Sequence, residues 1–150
     1  MGDSYAVRNE SERLRLQTIV ARLSDIDLTR AVNGEWTVSA TLMHVAFYDR
    51  LALARWEKWE RVGVPSQRIV FESDLVNAAA LPQWLAVPGR EAVREVVAAA
   101  EAVDRKIEHL APLVVSAYLE FAAGSPPRML DRTIHRREHL DHIVQALTSR

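Results

Sequence analysis

The chain of 150 residues contains no cysteine, which excludes a disulfide scaffold and a protein thiol nucleophile. Any thiol chemistry would therefore need a thiol that a substrate brings in. Lysine is nearly absent as well: it occurs only at Lys58 and Lys106, and the arginines are scattered among acidic residues. The formal net charge is -1, and no basic stripe is present that would bind nucleic acid through its phosphates. The sequence thus predicts no nucleic-acid partner.

Long apolar segments are also missing. The opening stretch MGDSYAVRNESERLRL is polar and lacks the apolar core of a signal peptide. No later run approaches the roughly 18 uninterrupted apolar residues of a membrane span. We therefore expect a cytoplasmic protein with no membrane partner. Apolar residues still make up 49% of the chain, enough for one domain, residues 1–150, with a core of its own.

Apolar residues recur at helical spacing along almost the whole chain, and strictly alternating runs are absent. This pattern predicts four long helices, at about residues 10–23, 38–61, 89–111 and 128–148, with Thr37 as N-cap of the second and Pro112 ending the third. Shorter helices are expected around residues 74–86 and in LVVSAYLEFAA, whereas SDIDLTRAVNGEW contains turn formers. The predicted fold class is all-α, a four-helix bundle with one or two short additional helices.

The stretch IHRREHLDHI, residues 134–143, holds three of the five histidines of the chain. Because an α-helix turns about 100° per residue, His135 and His139 lie about 40° apart, and His142 lies about 20° from His135 on the other side. Imidazoles at i and i+4 can bind one divalent ion together, whereas His142 is two turns from His135 and lies at the rim. A catalytic metal site usually takes three protein ligands, so a third is required from another element. The alternative is that these histidines are packed, hydrogen-bonded residues of an ordinary helix.

The two remaining histidines differ in their surroundings. His44 lies in EWTVSATLMHVAFYD, on the apolar side of the second long helix, where a polar ring needs a partner. His109 ends the third long helix, and the helix dipole is a sufficient explanation for it. Tyr48, one turn after His44, is a candidate pocket residue, although core packing would explain it as well.

Several other residues are candidates for the pocket, and each has a simpler explanation. Trp36 and Arg136 could line it, but we assign Arg136 and Arg137 to a solvated face of the last helix, together with Asp131. The other tryptophans are attributed to packing within the bundle or to an interface; they are Trp56, Trp59 and Trp84.

The stretches WTVSATLMHVA and HRREHLDHI resemble the second-helix and last-helix signatures of the DinB-like superfamily. The order, separation and helical context of the two motifs match across nearly the whole chain. The resemblance implies a four-helix bundle, often a homodimer, with a divalent metal held by three histidines. Matched position by position, these ligands would be His44, His135 and His139. The metal could be zinc, nickel or iron, since three imidazoles do not choose among them. Where His142 stands, the family more often carries Gln, so His142 could either tune the site or replace a substrate contact.

The same resemblance suggests a function. Its better-understood members include thiol-dependent transferases and mycothiol-dependent maleylpyruvate isomerases, which use low-molecular-weight thiols such as bacillithiol or mycothiol. We therefore expect transfer of such a thiol to an electrophilic small-molecule substrate at a three-histidine metal site. The same ion could instead lower the pKa of bound water for hydrolysis, and the sequence does not separate these two reactions. A non-catalytic helical module, in which the histidines serve packing or dimerisation, is the alternative of a different class.

Overall fold

The computed structural model describes residues 4–149, and within that range the chain is mostly helical. It contains seven helices and one small sheet of two strands. The helices are α1 (Tyr5–Ala21), α2 (Asp25–Thr29), α3 (Val38–Val62), α4 (Ser73–Ala86), α5 (Gly89–Glu108), α6 (Pro112–Phe121) and α7 (Thr133–Thr148); the strands are β1 (Ala31–Asn33) and β2 (Trp36–Thr37). The predicted all-α class is confirmed. None of the helices in residues 4–149 is both long and apolar enough to cross a membrane.

The predicted start of α3 is confirmed, whereas α1 begins at Tyr5, after a cap by Ser4, and not near residue 10. Thr37 begins α3 by accepting a hydrogen bond from the Ala40 N–H at 3.1 Å. The last helix, in contrast, begins at Thr133 and not near residue 128. Hydrogen-bonded turns that follow Pro127 occupy the intervening residues, and the Asp131 carboxylate accepts the Thr133 N–H at 3.2 Å. The first N–H groups of a helix have no acceptor within it, and Asp131 supplies one at Thr133. α7 therefore begins several residues later than apolar spacing alone suggests.

The segment expected to be a turn contains regular structure. Ser24 and Asp27 form a reciprocal capping box at the start of α2. The chain then makes an antiparallel hairpin, β1 with β2, that turns at Gly34, whose φ of +55° suits glycine. Strands of three and two residues are too short for alternation to reveal them. This hairpin brings Trp36 to the start of α3.

The four long helices contact one another in pairs. α3 lies along α5, α1 packs on α5 and α7, and α3 also contacts α7. One core cluster includes Leu16, Leu42, Val96 and Leu140, one residue from each long helix, and all four are buried. A second cluster surrounds Trp56 near α6. Three of the histidines lie where α3 faces α7.

Candidate metal centre

Three histidine rings converge between α3 and α7. The Nε2 atom of His44, on α3, lies 3.0 Å from Nε2 of His135 and 3.0 Å from Nε2 of His139, both on α7. One nitrogen from each ring lies within 4.8 Å of the other two. His44 is buried and the other two are half-buried. The fold therefore brings together the three residues that the resemblance implies, across a separation of 91 positions.

The spacing of these nitrogens fits a shared ion better than hydrogen bonding. An imidazole nitrogen has one in-plane position, which carries either a proton or a lone pair, so it makes one good hydrogen bond. His44 Nε2 has two nitrogen neighbours at 3.0 Å, which one position does not satisfy. Ligands of a tetrahedral zinc ion at about 2.0–2.1 Å would stand roughly 3.3 Å apart. The three-histidine group could thus hold a metal ion after a small adjustment.

The environment keeps the three rings neutral, which is the form that binds a metal. Burial, together with the nearby His139, lowers the pKa of His44 to about 4, although Asn77 opposes this shift. Burial and His139 also lower the pKa of His135 to about 2, and Arg132 adds to the effect. The pKa of His139 is lowered as well, chiefly by burial. At neutral pH each ring is therefore uncharged, and it offers an Nε2 lone pair to an ion in the tautomer that carries its proton on Nδ1.

Aromatic side chains surround the buried ligand His44. Trp36 and Trp84 meet its ring edge to face, at 5.4 and 5.5 Å between centroids. The Tyr48 ring lies 4.8 Å from it, and the Tyr48 hydroxyl donates to Asn77 Oδ1 at 2.8 Å. Tyr48 is thus a pocket residue, as one of the two interpretations predicted. Trp84, expected to serve bundle packing or an interface, also belongs to this aromatic wall beside His44.

The other two histidines stay outside the convergent group. His142 is exposed, and its ring centroid lies 6.0 Å from that of His139. It lines a small cavity of about 200 Å³ that His44, His139 and Trp36 also line, so it lies beside the group without joining it. His109 is the C-cap of α5, with Nδ1 2.7 Å from the Arg105 carbonyl oxygen. Both placements agree with the sequence interpretation.

A larger cavity of about 420 Å³ opens beside the three histidines. It lies between α3, the start of α4 and the residues leading into α7. Besides the three histidines, apolar, uncharged polar and cationic residues line it: Tyr48, Leu51, Ala52, Arg55, Ser73, Asn77, Arg128, Met129 and Arg132. A small molecule in this cavity would lie in contact with the histidine group.

The assignment of Arg136 to a solvated face is wrong. Its side chain is fully buried, with Nε donating to Asp49 at 3.0 Å and the two terminal nitrogens donating to Asp104 at 3.0 and 2.8 Å. Asp131 is buried too, whereas Arg137 is exposed as predicted. A helical wheel assigns charged residues to the surface because it contains no information about carboxylates on the facing helices. The signal that could have revealed the network is Asp104, an acid inside the apolar stripe of α5.

Arg136 stands between His135 and His139 in the chain and joins three helices. Asp49 lies on α3 and Asp104 on α5, so their ion pairs with Arg136 attach α7 to both. These bonds hold the strip of α7 that carries the two histidines against α3, where His44 lies. Arg136 is therefore a positioning residue for the histidine group.

Comparisons of the chain with family models, curated proteins and solved structures returned no match. The resemblance to the DinB-like superfamily therefore remains a prediction based on the two motifs. His44 of the first motif and His135 and His139 of the second are nevertheless the histidines that the fold brings together.

Proposed function

We propose that this protein is a DinB-like four-helix bundle that binds one divalent metal ion through His44, His135 and His139. At this site it would transfer a low-molecular-weight thiol to an electrophilic small molecule. The observation that carries the proposal is the convergence of three neutral imidazole nitrogens beside a cavity of about 420 Å³. Zinc, nickel and iron all bind imidazole, so three histidine ligands do not determine which of these metals is bound.

A bound ion would favour the thiolate form of an incoming thiol, which is the nucleophilic form. The chain itself supplies the surroundings for such chemistry. It has no cysteine that would compete with an incoming thiol for the ion. Trp36, Trp84 and Tyr48 form an apolar wall against His44, which also lines the larger cavity, where an electrophile would lie.

Hydrolysis is the second candidate reaction, and the lining of the larger cavity favours it less. Hydrolytic sites commonly use a carboxylate as general base to take the proton of the attacking water. No aspartate or glutamate is among the described residues that line this cavity. A thiol starts from a pKa of about 8.5, against roughly 15.7 for water, so an ion would convert it to the nucleophilic thiolate more readily, with the proton released to solvent and without such a base. The proposal therefore prefers thiol transfer to hydrolysis.

Metal analysis of the full-length protein tests the proposal. We expect one ion of zinc, nickel or iron per chain by elemental analysis, and saturable uptake when chelated protein is titrated with each metal. His44→Ala and His139→Ala should each abolish this stoichiometric uptake. His109→Ala is the matched control, since it removes an imidazole at the C-cap of α5, outside the convergent group, and it should bind metal normally. Uptake that is absent in the parent protein, or unchanged in His44→Ala and His139→Ala, would overturn the proposal.

The reaction is tested separately on metal-loaded protein. A low-molecular-weight thiol and an electrophile should be conjugated faster with the parent protein than with His44→Ala, as measured by loss of free thiol. Ester or amide hydrolysis without thiol consumption would favour the hydrolase instead. Homodimerisation, which the resemblance also implies, stays a prediction.

A further inference from the structure

Arginines gather in the cavity beside the three histidines without a matching set of acids. Arg55, Arg128 and Arg132 all line it, and no aspartate or glutamate is among its described lining residues. A guanidinium group is always charged at physiological pH, and within residues 4–149 only Arg132 of the three forms an ion pair, with Asp49, so this lining carries net positive charge. The cavity is therefore a candidate for binding an anion.

Arg132, which lines this cavity, has an unused donor. The residue is only 5% exposed; Nε donates to Asp49 at 2.9 Å and Nη1 donates to the Arg128 carbonyl oxygen at 2.9 Å. Its Nη2 atom is buried and has no hydrogen-bond partner among residues 4–149. A buried donor left without a partner is costly, and in native proteins such groups usually meet water, an ion or a ligand.

Arg55 adds a second cation that lacks a counter-charge. Within residues 4–149 it forms no ion pair; its guanidinium lies 5.1 Å from the centre of the Phe71 ring and 3.9 Å from Met129 Sδ. Burial and the neighbouring Arg132 lower the pKa of Arg55, which shows that the two positive charges lie near each other. Both guanidinium groups would gain from an anion between them.

The nearby carboxylates are already engaged. Asp49 uses one oxygen for Arg132 and the other for Arg136. Asp104 receives hydrogen bonds from Arg136 and Arg13. Asp74 is exposed and does not line the cavity. Ser73, the first residue of α4, does line it, so the positive end of that helix dipole lies at the edge of the cavity.

We propose that this cavity binds the anionic group of a small molecule, a carboxylate or a phosphate, through Arg132 and Arg55, with Arg128 at its entrance. The inference deepens the proposed function, because it describes the molecule that would lie beside the metal ligands. Arg132 lies three residues before His135, so an anion bound to Arg132 is held close to the histidine group. A substrate of this kind would carry its anionic group a few bonds from its reactive centre.

A neighbouring cavity of about 250 Å³ extends the positive surface. It shares Arg55, Arg128 and Met129 with the first cavity and adds Arg68 and Trp59. An anion longer than a small dicarboxylate could therefore continue from the histidine side toward α6.

Binding of simple anions to chelated full-length protein tests the inference without requiring activity. Succinate, inorganic phosphate and the neutral analogue succinamide would be titrated by calorimetry at pH 8, with a chelator present so that no metal contributes. We expect saturable binding of succinate or phosphate and none of succinamide. Binding of succinate alone identifies a carboxylate site, and binding of phosphate alone identifies a phosphate site.

Two substitutions on α3 provide the residue-level comparison. Arg55→Gln removes the unpaired cation and should raise the dissociation constant at least about tenfold, which corresponds to roughly 1.4 kcal/mol. Arg61→Gln, an exposed residue of the same helix, should leave it unchanged. Arg55 has no ion pair within residues 4–149, so its loss should not endanger folding as loss of Arg132 would.

The outcomes separate this inference from the proposed function. Equal binding of succinamide, equal binding by Arg55→Gln, or no saturable binding of either anion would overturn the anion site. If Arg55→Gln loses anion affinity while the parent protein takes up no metal, the anion site stands and the proposed function fails. If metal uptake depends on His44 while anion affinity does not depend on Arg55, the metal site of the proposed function stands and the anion site fails.

Discussion

Replacing Arg136 by alanine is the sharpest test of how the histidine group is held in place. The substitution removes three hydrogen bonds to two buried carboxylates, those of Asp49 and Asp104. Removing one partner of a buried ion pair typically costs about 3–5 kcal/mol, because a buried charge loses its compensation. Asp49 keeps Arg132 and Asp104 keeps Arg13, so we expect a loss near the lower bound, about 3 kcal/mol.

The matched control is the adjacent residue. Arg137 is exposed over 63% of its side chain and makes one long ion pair, 3.6 Å from Glu12. Arg137→Ala should therefore change the free energy of unfolding by no more than about 1 kcal/mol. Urea unfolding followed by circular dichroism measures both variants. At roughly 2–4 °C per kcal/mol for a domain of this size, Arg136→Ala should also lower Tm by about 6–12 °C.

The same substitution should weaken metal binding although it removes no proposed ligand. Arg136 attaches the histidine-bearing strip of α7 to α3 and α5, and loss of a supporting group commonly costs about 10–100-fold in metal affinity. Arg136→Lys should rescue neither property fully, because one ammonium lacks the planar fork that reaches both carboxylates. If Arg136→Ala is no less stable than Arg137→Ala, the buried network does not hold α7 and the reasoning fails.

Two further predictions concern the site itself. Chelated protein should lose stability as pH falls below about 6.5, because the histidines of the unfolded chain are then protonated while those of the native protein stay neutral. Since the pKa of His135 is lowered to about 2, the loss from this residue approaches about 1.4 kcal/mol per pH unit between pH 6 and 4. Thermal unfolding between pH 8 and 5 measures it, and a Tm that is flat over that range would contradict the buried neutral state. Tyr48→Phe should cost about 0.5–1.5 kcal/mol by removing the hydrogen bond to Asn77, with metal content unchanged. Metal loss in that variant would show that the Tyr48 hydroxyl does more than position Asn77.

The parts of the structure that sequence reasoning predicted are those set by local geometry. Helical spacing of apolar residues identified the long helices, and the Thr37 cap placed the start of α3 correctly. The i, i+4 relation put His135 and His139 on one strip, which depends only on the pitch of a helix. The pairing with His44 is different: it came from the motif resemblance, since no local rule states which residue of α3 faces α7.

The parts that were missed depend on partners from distant segments. Arg136 was assigned to the surface of α7 because its carboxylate partners lie 32 and 87 positions away in the chain. A charged residue becomes a core residue only when opposite charges from other helices reach it, and a single helix does not contain that information. The hairpin before α3 was missed for another reason, because strands of two or three residues carry too little pattern.

The two proposed binding functions share one structural element. Arg132, His135, Arg136 and His139 follow one another at intervals of three, one and three residues, so one face of α7 and the turn before it carries all four. Asp49 accepts Arg132 with one oxygen and Arg136 with the other, and it lies five residues after His44 on α3. A single buried carboxylate thus holds the arginine of the anion site and the arginine that supports the metal ligands. Because both arginines depend on it, the distance between a bound anion and a bound metal ion would be set by the packing of α3 on α7, and not by a mobile loop.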